Sequence, residues 1–168
     1  MSVLVAYIGA STSTVEVARQ VADRLVKAGF PAVVRPLEQV QSLRPYQAVV
    51  LGSDVREQSF PPELSQLSSS FYDALAALPA WLFSTGNSGV SVPAALRIRE
   101  YRHFAGSFPR DRTSALGELF LKVCGAASSD YRDWREINDW AGNIARELQH
   151  IDHIKERRRL HLSVRGRP

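Results

Sequence analysis

The 168-residue chain fits one domain and is long enough to bury a sizeable core. Its 45% hydrophobic and 23% charged residues exclude an intrinsically disordered chain, and no apolar run approaches the roughly 20 residues that cross a membrane. The net charge of +4 is unevenly placed: the last fourteen residues, KERRRLHLSVRGRP, carry six Lys or Arg and one Glu, and the remainder is close to neutral. The positive balance therefore belongs to the tail, and the body has no nucleic-acid footprint of its own. The single cysteine, Cys124, cannot form an internal disulfide, and no CxxC or His/Cys spacing points to a metal. The start, MSVLVAY, has no basic flank and no small-residue cleavage site, so no signal peptide is expected. The expected setting is reducing and cytoplasmic.

In chain order, residues 3–8 read as a buried strand, apolar without alternation. Residues 13–28 read as a helix, with Val17, Val21, Leu25 and Ala28 at helical spacing and Gly29 as a stop. Second and third strands follow at 31–36 and 46–52. A helix is expected over 61–77, with Pro61 in its first turn, where a missing N–H costs nothing. AWLFS, 80–84, is a fourth strand. Residues 93–100 suggest a short helix, 102–107 a fifth strand, and 114–123 a further helix. The last helix is expected over 133–149, with Ile137, Trp140, Ala141, Ile144 and Leu148 on one face. Strand and helix alternate almost throughout, which argues for a parallel sheet with helices on both faces. The expected fold is α/β, a flavodoxin-like three-layer sandwich with five parallel strands in the order 2-1-3-4-5, its crevice at the carboxyl ends of strands 1, 3 and 4. The domain is expected over 1–150, with 151–168 as a basic tail.

Three segments at those carboxyl ends are rich in small polar residues: Gly9 to Thr14, Gly52 to Phe60, and Ser84 to Gly89. The first opens a helix, whose unpaired N–H groups and positive dipole end suit a phosphate. Ser11, Thr12, Ser13 and Thr14 add hydroxyls, with no Lys or Arg among them. Two readings stand side by side at this turn: a phosphate held by neutral donors, or hydroxyls that cap the helix. In the second segment, Arg56 could meet an anionic substrate or an electron-rich ring edge, and Asp54 with Arg56 also fits a solvated pair worth under about 1 kcal/mol. In the third, backbone N–H groups with the Asn87 side chain could meet a polar heterocycle.

These residues and their order resemble the flavodoxin family. Its members carry a Ser/Thr-x-Thr-Gly-x-Thr loop after strand 1 that wraps the phosphate of flavin mononucleotide (FMN). Ser11 and Thr14 match that loop in kind, Gly9 stands where the family has a hydroxyl residue, and Thr12 stands where it has glycine. Within the family the chain most resembles the protoporphyrinogen-oxidase-type, menaquinone-dependent branch. AVVLGSDVREQSFPPEL is similar to its third strand and following arginine segment, FAGSFPRDRTSALGELFLKVCG to its fifth strand and added helix, and DYRDWREINDWAGNIARELQ to its final Asp-Trp helix. The resemblance runs over about residues 3 to 149 and implies an FMN-binding redox protein, either an electron carrier or a protoporphyrinogen- or quinone-type dehydrogenase. It also implies the cofactor residues: Ser11, Thr12, Ser13 and Thr14 at the phosphate, with Gly52, Ser53, Asp54 and Arg56 on one side of the ring and Ser84, Thr85, Gly86 and Asn87 on the other. It assigns no catalytic acid or base. A second reading, from a different class, is a binding module of the same fold that has lost FMN.

The other distinctive residues read as structural. Trp140 fits the buried stripe, while Trp134, six residues earlier, cannot share its face closely. His103 fills a strand edge, and Cys124 is a small buried hydrophobe. Partners expected are FMN and a redox partner protein or a quinone; the basic tail reads either as a solubilising terminus with no partner or as a segment that contacts an anionic surface, lipid headgroups or nucleic acid, and the lipid case would make the protein peripheral to a membrane.

Overall fold

In the computed structural model, residues 1–9, 11–55, 69–86, 92, 96–105 and 132–165 are described. Five parallel strands form one sheet in the order β2-β1-β3-β4-β5, as the sequence pattern predicts. They are β1 (Ser2–Ile8), β2 (Ala32–Pro36), β3 (Tyr46–Val55), β4 (Ala80–Gly86) and β5 (Glu100–Ala105). The helices are α1 (Thr12–Lys27), α2 (Ser69–Ala76) and α3 (Trp134–Arg165), with a 3-10 turn at Leu37–Gln39.

Side chains alternate across the sheet, so each central strand feeds two cores. Val3, Val5, Ala48, Val50, Trp81, Phe83 and Phe104 face α1 and α3, where Val17, Val21 and Leu25 meet Ile137, Trp140, Ile144 and Leu148. Leu4, Ala6, Ile8, Val49, Leu51 and Leu82 face the other way, toward Leu75 of α2 and Leu96. Burial on both sides is why these strands read as continuous apolar runs. Phe83, Phe104 and Trp140 form a three-ring cluster, with centroids 6.1 Å, 6.0 Å and 5.5 Å apart and tilted or edge-on planes, the arrangement that ring quadrupoles favour. Trp140 Nε1 donates to Glu100 Oε2 at 3.1 Å, so its polar end is satisfied. Trp134 packs against the edge of the same α1- and α3-facing core despite its six-residue offset from Trp140, and the Arg132 guanidinium lies 4.4 Å from its ring centroid. Both indoles reach one core because a tryptophan side chain spans a wide arc of helix surface.

Several boundaries differ from the sequence reading. β3 and β4 continue to Val55 and Gly86, so Ser53, Asp54, Thr85 and Gly86 are strand residues and not loop residues. The cause is pairing: Ile8 registers with Ser53, Asp54 with Thr85 and Val55 with Gly86, and each polar residue keeps its ladder bonds. The helix expected over 93–100 does not reach its end. Arg99 donates its backbone N–H to Ala80 O at 2.8 Å, and Glu100 opens β5 opposite Trp81. α3 runs sixteen residues past its expected end, to Arg165. Asp133 starts it, its Oδ1 accepting from the N–H groups of Arg135 and Glu136 at 2.9 and 3.1 Å. The apolar stripe ends near Ile151, and beyond it α3 is exposed as far as its side chains are described. The expected helix over 114–123, Cys124, and residues 61–68 of the second expected helix lie outside the described residues.

Gly52 is required by packing. A Cβ there would lie 2.3 Å from Phe83 Cζ, closer than any real contact. Gly52→Ala is therefore expected to destabilise the protein by about 1–3 kcal/mol through overpacking, read as a lower urea midpoint. Phe83→Leu in that background should recover part of the loss, and an unchanged midpoint in Gly52→Ala would refute the contact.

Candidate functional site

The carboxyl ends of β1, β3 and β4 are adjacent in the sheet, and three residues separate the end of β1 from the start of α1. Five polar residues are buried among the described residues: Ser13, Thr14, Ser53, Ser84 and Thr85. All five stand at this end of the sheet, and all five are hydroxyls. Buried polar groups cost stability unless they are bonded, so their convergence here needs partners.

Thr14 and Thr85 supply one pair. Their Oγ1 atoms lie 2.6 Å apart and both residues are fully buried, which ties the first turn of α1 to the end of β4 across 71 residues of sequence. Ser84 supplies a second. Its Oγ lies 2.6 Å from Tyr101 Oη and 2.9 Å from His103 Nδ1, both on β5. Burial holds the His103 imidazole below its usual pKa, opposed by the nearby Glu136 carboxylate. A neutral ring lets Nδ1 accept from Ser84, which in turn accepts from Tyr101. Successive residues of β4 therefore send their hydroxyls to opposite faces, Thr85 to α1 and Ser84 to the Tyr101–His103 face. Ser53 Oγ makes a long contact, 3.4 Å, to the Asp54 carbonyl, and Asp54 is half-buried at the register position of Thr85.

The turn between β1 and α1 takes its shape from Gly9, at φ +84°, a left-handed conformation that suits glycine. Thr12 opens the helix in ordinary geometry, and Arg97 is the only non-glycine residue at positive φ among the described residues. Position 12, where the resemblance places a glycine, therefore has a backbone conformation that does not require one. Ser11 is the N-cap but makes no side-chain cap hydrogen bond, and no acidic residue occupies the first turn. Capping therefore does not account for the Ser11 hydroxyl. Ser11 is half-buried and Thr12 exposed. Gly86 closes β4 at φ +135°, again a conformation that a side chain resists.

The expected site residues Ser11 to Thr14, Gly52 to Asp54 and Ser84 to Gly86 thus come to one end of the sheet. Gly52 turns toward Phe83 in the core. Arg56 and Asn87 lie outside the described residues. His103, read from sequence as filling a strand edge, and Tyr101, which the sequence reading left just before the fifth strand, are partners of Ser84. Their i, i+2 spacing was the available signal, since it places both on one face of a strand. Among the described residues, no cluster of three or more His, Cys, Asp or Glu could hold a metal, and no helix is long and apolar enough to cross a membrane.

Residues 4–106 match the flavodoxin domain. The chain belongs to the flavodoxin domain family. Solved structures agree on the fold of this flavodoxin-domain chain. It is similar to an archaeal flavodoxin, at 15% identity and a TM-score of 0.60 over 89% of this chain and all of that one. It is also similar to oxidised flavodoxin 2 from Bacillus cereus, at 16% identity and 0.52 over 89% and 99% of the two chains. The rubredoxin oxygen:oxidoreductase of Desulfovibrio gigas matches at 14% identity and 0.59, over 89% of this chain and 36% of that larger one. No curated protein matches the chain.

Two outcomes are expected. Thr14→Val and Thr85→Val should each cost about 1–3 kcal/mol, because each strands the other buried hydroxyl, and the double variant should cost less than their sum; strict additivity in urea unfolding would refute the pairing. For His103 the folded pKa is the lower one, so the unfolded chain takes up the proton first as pH falls. Its contribution is fully present above the unfolded value of about 6.5 and is lost as pH falls through the folded value. The urea midpoint should therefore drop between pH 7.5 and 5, and the drop should shrink in His103→Gln.

Proposed function

We propose that the chain binds FMN at the carboxyl ends of β1, β3 and β4 and serves as a redox protein. The observation that carries this reading is the gathering of every described buried polar residue, all hydroxyls, beside an acid-free helix start. A donor set without lysine or arginine fits a phosphate monoester held by backbone N–H groups and neutral hydroxyls, aided by the positive end of the α1 dipole. Family membership and the flavodoxins among the structural neighbours support the same cofactor.

In this reading Ser11, Thr12 and Ser13 with the first N–H groups of α1 hold the phosphate. Thr14 lies just behind them, and its bond to Thr85 fixes the distance between the phosphate turn and the end of β4. Gly52, Ser53, Asp54 and Arg56 border the ring on one side, and Ser84, Thr85, Gly86 and Asn87 on the other. Ser84 acts chiefly through position, because its hydroxyl is committed to Tyr101 and His103. The flavin ring, when bound, supplies the electron or hydride chemistry. The residues around it orient the ring and exclude water. The electrons pass to a partner protein or to a quinone, and the resemblance to the protoporphyrinogen-type branch supports the second. Residues 1–150 form the flavin-binding body, and the basic segment 151–168 is the part suited to an anionic membrane surface.

The test is titration of the protein with FMN and, in parallel, with riboflavin, which lacks the phosphate. Saturable quenching of FMN fluorescence is expected. Ser11→Ala and Thr12→Ala should each weaken FMN by about tenfold or more, the scale of a hydrogen bond to a charged group, and leave riboflavin unchanged. No FMN binding at high micromolar concentration would overturn the proposal and favour the fold as a binding module without flavin.

A further inference from the structure

A cleft of about 820 Å³ opens at the opposite end of the sheet. Met1 precedes β1, Tyr46 opens β3, Pro79 precedes β4 and Arg99 precedes β5, and all four line it. It therefore sits at the amino ends of the strands, about 20 Å from the carboxyl-end site by strand length. Its volume falls within the range of small-molecule sites.

Among the described residues, four cations line this cleft, Arg44, Arg97, Arg99 and Lys155, and no carboxylate does. Arg99 shares a carboxylate, Glu147, at 3.4 Å and stacks 5.9 Å from the Trp81 ring centroid. Arg44, Arg97 and Lys155 have no ion-pair partner among the described residues. Like charges repel across a shared cleft unless an anion enters it. The apolar part of the lining includes Leu43, Tyr46, Leu78 and Pro79.

Arg97 adds an independent observation. Its φ of +47° is left-handed, a conformation that a Cβ disfavours and glycine does not. Its neighbours force the geometry: Leu96 is buried in the α2-side core, and Arg99 is bonded to Ala80. An arginine at a backbone position where glycine would be less strained points to a use for its guanidinium. Lys155 arrives by another route. It lies past the buried stripe of α3, on the exposed extension of that helix, and reaches the cleft because α3 outruns the sheet.

We propose that this cleft binds an amphipathic organic anion, a carboxylate, sulfonate or phosphate monoester on an apolar body, with its charge held by Arg44, Arg97, Arg99 and Lys155. The apolar floor takes the body of the ligand, and the guanidinium groups suit planar or tetrahedral oxyanions. The site is separate from the flavin crevice, so its occupancy does not depend on the proposed function.

The experiment is calorimetric titration of the full chain with 8-anilinonaphthalene-1-sulfonate, compared with neutral N-phenyl-1-naphthylamine. One saturable site is expected for the sulfonate, with the neutral analogue at least about tenfold weaker. Arg97→Gly should weaken the sulfonate by about five- to tenfold while the urea midpoint holds or rises, since glycine relieves the left-handed strain. Arg44→Gln with Lys155→Gln should weaken it further. Binding unchanged in both variants, equal affinity for the neutral analogue, or displacement of the sulfonate by FMN would overturn the proposal.

Discussion

Phe83 lies across Gly52, and much of the carboxyl end of the sheet hangs from that contact. A glycine in the middle of β3 leaves a gap one side chain deep, and the ring on β4 fills it. The ring is then held edge-on by Trp140 of α3 and tilted against Phe104 of β5. Three elements are thereby locked at the residue immediately before Ser84 and Thr85. The hydroxyls of those two residues inherit their directions from this packing, because a strand offers only two faces and Phe83 has taken one. Thr85, two residues on, shares the Phe83 face toward α1, and Ser84 takes the other, facing Tyr101 and His103.

The pairing of Thr14 with Thr85 extends the same constraint to the start of α1. A bond between two fully buried hydroxyls is intolerant of small displacements, since each stranded partner carries its own desolvation cost. The start of α1 is held further by the ion pair of Glu16 with Arg132, whose guanidinium rests on Trp134, and by Gln20 Nε2 donating to Asn138 Oδ1 at 2.7 Å. α1 and α3 thus form one unit against the sheet. The consequence is rigidity: the start of α1 is fixed relative to the end of β4 before any ligand arrives, and a preorganised site needs little reordering on binding.

The two ends of the sheet differ in how they treat negative charge. At the carboxyl end, neutral hydroxyls and helix N–H groups converge, among the described residues, without a lysine or arginine. At the amino end, four cations share one cleft with apolar walls. The near-neutral body and the basic tail meet there through α3. That helix has 32 residues, about 48 Å at 1.5 Å per residue, roughly twice the length of the strands it covers.

How much of this could be read beforehand follows from the range of the interactions. Periodicity and composition are local, so the amino-acid sequence by itself determined the parallel sheet, its strand order, the buried stripe of α3 and the polar segments at three carboxyl ends. It could not set where β3 and β4 stop, because Ser53, Asp54 and Thr85 stay in the ladder through bonds to neighbouring strands. Nor could it assign the hydroxyls. Thr14 and Thr85 are 71 residues apart and Ser84 and His103 are 19 apart, and only the register of packed strands brings each pair within bonding distance. The amino-end cleft was equally hidden, since Arg44, Arg97, Arg99 and Lys155 share no local pattern. Tertiary structure decided these features because strand register and side-chain direction come from packing between distant segments, which no local window of sequence contains.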